Sequence, residues 1–320
     1  MTRYVLRRLA YGGVVMALVT ALVFVLVRLV PGDAVTMQLA ESGASPEQVA
    51  ALRAEFGLDV PVWTQLGNWL AGVARGDLGR SFYGGGAPVT GLFLERVPVT
   101  VSLGLLAMLF ATVAGIGLGV LAAVTRGSAL DAAVRSFAVA FLSVPNFVVA
   151  LLALTACAVW LNWSPPLAYR PLTEDPVNWI QQMAIPVIAL GTAGMAGTAR
   201  MARSSLLESL GSDYVRTVRA KGARERTVVG KHAARNSTIA VLTLLGLELA
   251  TVLGGTVILE QMFGIPGTGQ LIYSAVLERD YPVVVACTIF YAGLFVVTII
   301  VIDLLYALVD PRIRTGRALS

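Results

Sequence analysis

Six long apolar runs dominate the amino-acid sequence. A helix must offer roughly 20 apolar residues to cross a hydrocarbon layer about 30 Å thick, because it rises about 1.5 Å per residue. The runs of that length cover approximately residues 9–30, 97–124, 136–161, 183–199, 237–259 and 283–309. The fourth run is short and holds Pro186 and three glycines, so we expect neighbouring helices to cover it inside the bundle. The sequence therefore predicts an all-α polytopic membrane protein with six transmembrane helices.

Composition supports the membrane class and excludes several others. Of the 320 residues 57% are hydrophobic and 13% charged, and the mean hydropathy is +0.77, which is too apolar for a soluble domain of this length. The net charge of +5 comes from short basic clusters between apolar runs, which does not indicate nucleic-acid binding. Cys157 and Cys287 both lie within apolar runs and predict neither a disulfide nor a metal site.

The distribution of basic residues predicts the orientation. Cytoplasmic loops retain Lys and Arg, and most of the 24 basic residues fall on one side if the N-terminus is cytoplasmic. Most of the 19 acidic residues collect on the opposite side, and all 5 tryptophans lie in or beside its loops. Both termini are therefore predicted to be cytoplasmic.

The segment 31–96 is predicted to lie outside the cytoplasm and to contain two helices. Ser45 and Gln48 form a capping box, and Gly57 follows as a stop. A second helix with one apolar face is predicted over residues 62–73. The segment is either a gate or docking surface for an outer partner, or a structural hairpin packed on the first span.

No motif indicates catalysis on this chain. The residues around Lys231 lack the earlier glycine and the Ser/Thr of a phosphate-binding loop. Gly115, Gly117 and Gly119 lie inside an apolar run, where small residues favour close helix packing. Hydrolase and metalloprotease motifs are missing, and His232 is the sole histidine. We expect a protein that is not an enzyme and binds no metal.

The stretch 200–235 is too patterned for a simple connector. Ser212 and Asp213 can begin a short helix that Gly222 ends, and basic residues flank it. Its apolar face would comprise Tyr214, Val215 and Val218. This loop either contacts anionic lipid headgroups or docks a protein, and the residues alone favour neither.

Glu248 in the fifth run needs an explanation, because a charge at the bilayer centre costs about 2.5 to 3.5 kcal/mol. It should face the bundle interior. One hypothesis makes it a pore-lining carboxylate that contacts a peptide amine, with Asn146 beside Pro145 as a polar neighbour. The alternative is a hydrogen bond between buried helices. Asp303, near the inner end of the last run, is interpreted as an interfacial anchor.

Seven stretches together carry a recognisable pattern. They are PGD at 31–33, LRAEFGLDVPV at 52–62, RGDLGRS at 75–81, SVPNF at 143–147, DYVRTVRAKG at 213–222, FGIPGTGQL at 263–271 and DLLYALVDPRIR at 303–314. This combination resembles the permeases of ABC importers, specifically the first-permease subunit of the dipeptide and oligopeptide type. In the family's "EAA" loop three residues precede a glycine at fixed spacing, and here these are Arg216, Thr217 and Val218 ahead of Gly222. The family's usual glutamate is absent.

The resemblance implies a type I importer permease fold with both termini in the cytoplasm. It implies a first helix plus extracytoplasmic segment over 1–96, a five-helix core over 97–310 with a coupling loop at 200–235, and a tail at 311–320. It also implies a coupling helix that contacts the ATPase subunits. That helix would consist of Asp213, Tyr214, Val215, Arg216, Thr217, Val218, Arg219, Ala220, Lys221 and Gly222.

The same resemblance implies partners and a location. A second homologous permease, two cytoplasmic ATPase subunits and an extracytoplasmic solute-binding protein would complete the importer in a bacterial inner membrane. ATP and Mg²⁺ would bind the ATPase subunits, and no cofactor would bind this chain. The cargo stays open among short peptides, glutathione and metal chelates.

Two other functions fit parts of the sequence. An ion-gradient-coupled secondary transporter would use Glu248 or Asp303 as its titrating group. A structural or regulatory membrane subunit would use its basic loop to bind lipid. ATP dependence separates an importer from the first, and loss of transport on altering the coupling helix separates it from the second.

Overall fold

The computed structural model describes residues 2–29, 45–83 and 86–309, without the side chains of residues 2–7, 232, 235–240, 242–243, 247, 249–251, 253 and 302–309. The motif at 31–33, the tail at 311–320 and the side chain of Asp303 therefore lie outside the described part. Nearly all of that part is helical. The helices of eight or more residues are α1 (Thr2–Leu29), α2 (Pro46–Glu55), α3 (Val62–Val73), α4 (Val89–Val124), α5 (Ala129–Ser143), α6 (Asn146–Leu161), α7 (Pro176–Gly211), α8 (Asp213–Ala220), α9 (Ala234–Phe263), α10 (Thr268–Leu277) and α11 (Tyr281–Val309). A short helix (Glu225–Thr227) and a π-helix (Val228–Ala233) lie between α8 and α9.

Four helical stretches are long and apolar enough to cross a membrane, namely Arg8–Leu29, Val89–Val124, Pro176–Gly211 and Tyr281–Val301. A fifth crossing exists if α5 and α6 together form one broken span. The run predicted at 237–259 lies within α9, many of whose side chains are outside the described part. The chain is thus a multi-pass membrane protein, whereas the number of six spans and their orientation stay predictions.

The structure changes two of the predicted spans. The run at 136–161 is not one helix, because α5 ends at Ser143 and α6 begins at Asn146 with a bend of 109°. Pro145 explains the break, since proline cannot donate a backbone hydrogen bond and disfavours helix at the residue before it. The run at 183–199 is the middle of a longer, 36-residue helix, α7, which continues without a break through Pro186.

The described residues fall into two compact units. The first comprises those of Met1–Val101 and Gly264–Val297, and the second those of Ser102–Phe263 and Thr298–Ser320.

In the first unit, the segment between the first two spans is tied to α1 and to the turn before α11. The predicted capping box is confirmed, with reciprocal bonds between Ser45 and Gln48 at the start of α2. From α1, Arg28 donates to the Gln65 side chain of α3, with its Nε 2.9 Å from Oε1. These contacts agree with the interpretation of this segment as a structural hairpin.

Asp280 provides a second tie in the first unit. It is 2% exposed and accepts hydrogen bonds from the Ser81 hydroxyl and, at 3.2 Å, from the Phe82 amide. Burial raises the pKa of this carboxyl, while these hydrogen bonds act in the opposite direction. The chain following α3 is thereby held to the turn between α10 and α11.

In the second unit, α7 is the central helix. Most of its apolar stretch is buried, which confirms that this glycine-containing run packs inside the bundle. A Cβ atom at Gly119 of α4 would lie 2.6 Å from the carbonyl oxygen of Ala199, and one at Gly191 would lie 2.6 Å from that of Ala107. The glycines therefore let the backbones of α4 and α7 approach closely, as predicted for packing.

Candidate functional site

Helix α8 is the short helix predicted after Ser212. Ser212 occupies the N-cap position, but its hydroxyl donates to the Ser209 carbonyl at 2.7 Å and does not cap α8. The helix ends at Ala220, and Gly222 has a φ of +80°, which L side chains rarely adopt. The predicted stop at Gly222 is confirmed, and its reason is the left-handed backbone required there.

The apolar residues of α8 do not all face the same way. Val215 is fully buried, and Val218 is half-buried, whereas Tyr214 is 51% exposed. Val215 and Val218 are one turn apart and hold α8 against the protein. Tyr214 lies on the exposed side of α8, so it is the apolar member of the predicted set that stays accessible.

An ion pair braces the end of α8. Arg219 contacts Glu225 with Nη2 2.6 Å from Oε1 and Nε 3.2 Å from Oε2. The hydrogen bond from Arg219 lowers the pKa of Glu225, although both side chains are exposed. Because such exposed pairs contribute little to stability, the pair orients the turn more than it stabilises the fold.

A stronger ion pair links α5 to α7, the helix that leads into α8. Asp131 is 1% exposed and accepts two hydrogen bonds from Arg203, from Nε at 2.7 Å and from Nη2 at 2.9 Å. It also accepts from the Gly127 amide at 3.1 Å. This two-point geometry is the arrangement in which arginine binds a carboxylate most firmly. The sequence did not reveal this pair, because its members are far apart along the chain.

The second candidate feature is a cavity of about 560 Å³ in the second unit. Its wall includes the α5–α6 break at Pro145, the polar side chains of Asn146 and Glu248, and one face of α7. Asn146 is the first residue of α6 and lies against Gly255 of α9. The structure thus brings Asn146 and Glu248, the two residues predicted for the substrate path, to one cavity.

Glu248 reaches from α9 to a part of α7 without bulky side chains. Its carboxylate accepts from the Thr198 hydroxyl at 3.2 Å, and a Cβ atom at Gly197 would lie 2.7 Å from Oε1. Glu248 therefore has both features considered from the sequence, since it makes a bond between helices and lines a cavity. Arg200 of α7 lines the same cavity and was not singled out from the sequence.

Among the described residues, no group of three or more His, Cys, Asp or Glu side chains is placed to hold a metal ion. The cavity has the size and the mostly apolar lining, with a few polar groups, that are typical of small-molecule sites.

Comparison with known families identifies the class of protein. Residues 115–315 match the family "Binding-protein-dependent transport system inner membrane component", and residues 1–104 match "Binding-prot-dependent transport system membrane comp, N-term". The chain belongs to this family of transport-system membrane components. It is a permease subunit of the ABC importer class, as the motifs indicated.

Curated relatives match almost the full length. A putative peptide transport system permease protein of Brucella abortus (strain 2308) is 42% identical over 314 residues, which cover 98% of this chain and 99% of that protein. The dipeptide transport system permease protein DppB of Escherichia coli (strain K12) is 38% identical over 337 residues, with coverage of 98% and 99%. The resemblance drawn from the motifs is confirmed.

A solved structure has a similar fold. A chain from the inward-facing conformations of the MetNI methionine ABC transporter, in the CY5 native crystal form, superposes with a TM-score of 0.55 at 22% identity. The match covers 68% of this chain and 96% of that one. This similarity confirms the predicted type I importer permease fold.

Proposed function

We propose that this chain is the permease subunit through which an ATP-driven importer moves short peptides, or a related small solute, across a bacterial inner membrane. The observation that carries the proposal is the match, over 98% of the chain, to proteins named as peptide and dipeptide permeases. An extracytoplasmic binding protein would deliver the solute. A second related permease would complete the path, and two ATPase subunits would bind ATP and Mg²⁺.

In this proposal residues 213–222 form the contact with an ATPase subunit. Buried Val215 anchors α8 to its own chain, while exposed Tyr214 offers an apolar contact among basic side chains. Since α8 follows directly on α7, a displacement of α8 passes into the helix that lines the cavity with Gly197 and Arg200. Conformational change would travel along a continuous helix of 36 residues.

The cavity at Glu248 and Asn146 is the proposed substrate path. A carboxylate that lines a membrane cavity can bind the cationic amine of a peptide, and an amide side chain can both donate and accept hydrogen bonds. The hydrogen bond from Thr198 holds the Glu248 carboxylate beside α7, and Glu248 also lines the cavity. The polar groups of the path, Asn146 and Glu248, would therefore line the same cavity as the α5–α6 break.

Isolation of the tagged chain from its native membrane in mild detergent tests this proposal. We expect mass spectrometry to find a second permease and ATPase subunits, and the eluate to hydrolyse ATP in a vanadate-sensitive manner. Recovery of the chain alone, folded and without hydrolysis, would contradict the proposal.

A further inference from the structure

Two opposite charges line the cavity of the second unit. Among the described lining residues, Arg200 and Glu248 are the charged ones, and the rest are apolar, small or neutral polar side chains. A cation and an anion facing one mostly apolar space form a site for a ligand that carries both charges.

Neither side chain is neutralised within the part of the chain that the structure describes. The ion pairs of that part do not include Arg200 or Glu248, and the partner of the Glu248 carboxylate is the neutral Thr198 hydroxyl. For the half-buried Glu248 a charge is costly unless a counter-charge pairs with it, whereas Arg200 is exposed and can turn its head toward a ligand. Both groups are thus available to a ligand.

The positions of the two charged groups, Arg200 on α7 and Glu248 reaching from α9, suit a short ligand. The Glu248 carboxylate lies beside Gly197, and Arg200 follows Gly197 by three residues on the same face. Three residues of helix rise about 4.5 Å, and two residues of extended peptide span about 7 Å. The long arginine side chain can adjust the remaining distance, so the amine and the carboxylate of a dipeptide match the pair.

The chemistry of each side chain assigns the ends of the ligand. Arginine presents a planar set of donors that binds a carboxylate at two points, which fits the C-terminal end. The Glu248 carboxylate accepts from the N-terminal ammonium group. Asn146, on the same cavity wall, has the donor and acceptor groups needed for the peptide bond between them.

We infer that Arg200 and Glu248 form a two-charge binding site for the opposite ends of a zwitterionic short peptide, with Arg200 determining the requirement for a free carboxylate. The inference rests on the proposed function, because it deepens the substrate path already assigned to Glu248. An interfacial role for Arg200, in which its head contacts lipid headgroups, is the competing explanation.

The test uses the purified complex in lipid nanodiscs without its binding protein, so that selection by that protein does not intervene. Binding of dialanine, N-acetyl-dialanine and dialanine amide is compared. We expect the wild type to bind dialanine about tenfold or more tightly than either blocked form, because each block removes one charge-assisted contact. Uptake of dialanine by the same complex with its binding protein and ATP is measured in parallel.

The variants separate the two ends. Arg200→Gln should weaken the binding of dialanine about tenfold and leave the binding of dialanine amide unchanged. Glu248→Gln should weaken the binding of dialanine and leave the binding of N-acetyl-dialanine unchanged. Arg200→Lys, which keeps the charge, should retain part of the preference. Arg126→Gln, at an exposed arginine outside both the cavity and the coupling loop, serves as the control and should change nothing.

The outcomes distinguish this inference from the function on which it rests. Wild-type complex that transports dialanine but binds all three compounds equally, or none, would overturn the two-charge site and leave the peptide importer standing. If Arg200→Gln weakened the binding of dialanine and of dialanine amide equally, the two-charge site would likewise be overturned. Absence of ATP-driven dialanine uptake by the wild type would overturn both.

Discussion

Arg203 of α7 holds the buried carboxylate of Asp131 at two points, with nitrogen to oxygen distances of 2.7 and 2.9 Å. The pair lies about two helical turns before the end of α7, where the chain turns into α8. It fastens α5 to the helix that connects α8 with the cavity. Helices α5 and α7 should therefore move as one body whenever α8 is displaced.

Breaking this pair should reduce both stability and coupling. For Asp131→Asn we expect a loss of about 2 to 3 kcal/mol, because the pair is nearly buried but Arg203 is 21% exposed. Thermal unfolding of the purified complex and a double-mutant cycle with Arg203→Gln measure it. Arg135→Gln is the matched control, since Arg135 is 57% exposed and lies 3.5 Å from the same carboxylate, and it should cost less than about 1 kcal/mol. Equal effects of the two arginine changes would contradict the assignment.

Close packing of α4 on α7 should depend on Gly119 and not on Gly117. Gly119→Ala would place a Cβ atom 2.6 Å from the Ala199 carbonyl oxygen and 2.7 Å from the Ala202 Cβ, so a backbone must shift. We expect a destabilisation of about 1 to 3 kcal/mol, seen as a lower Tm in detergent. Gly117→Ala meets open space and should be neutral. A Tm that falls equally in both variants would show that the two helices are packed differently.

The exposed face of α8 should be needed for solute-stimulated ATP hydrolysis by the complex. Tyr214→Asp is expected to lower solute-stimulated ATP hydrolysis at least tenfold while the complex stays folded, because a charge replaces an accessible apolar contact. Tyr83→Asp is the control, as Tyr83 is 48% exposed in the other unit, and should leave hydrolysis unchanged. If the Tyr214→Asp complex kept its full solute-stimulated ATP hydrolysis, α8 would not be the coupling helix.

The segment between the first two spans should loosen when Asp280 is removed. Asp280→Ala strands the Phe82 amide, whereas the Ser81 hydroxyl keeps the Tyr83 carbonyl as an acceptor, and one unpaired buried group costs about 1 to 3 kcal/mol. Limited proteolysis should then cut residues 45–83 faster than in the wild type. Glu278→Ala removes a less buried acid two residues away and should not change the cleavage rate. Unchanged cleavage in both variants would mean that other contacts hold the segment.

Local patterns in the sequence predicted local structure well. The capping box at Ser45, the stop at Gly222 and the helices over 62–73 and 213–220 all follow from residues that lie close together in the chain. The run at 136–161 was predicted as one span, and the 109° bend at Pro145 was not. The size of a bend depends on what the two halves pack against, which the sequence alone does not contain.

The missed features depend on contacts between distant residues. Asp131 and Arg203 each resembled ordinary residues near the ends of spans, and their pairing emerges only when α5 packs against α7. Arg200 belonged to a basic stretch that the orientation rule already explained. Its place in the cavity became visible once α7 proved to continue past residue 199.

The energy source for uptake tests the account most directly. Proteoliposomes that contain the complete complex and its binding protein are supplied with a labelled dipeptide, with ATP on the ATPase side or with an imposed proton or sodium gradient. We predict uptake that requires ATP hydrolysis and persists when ionophores collapse the gradients. Uptake driven by a gradient without ATP, and abolished by Glu248→Gln, would contradict the account and identify an ion-coupled transporter.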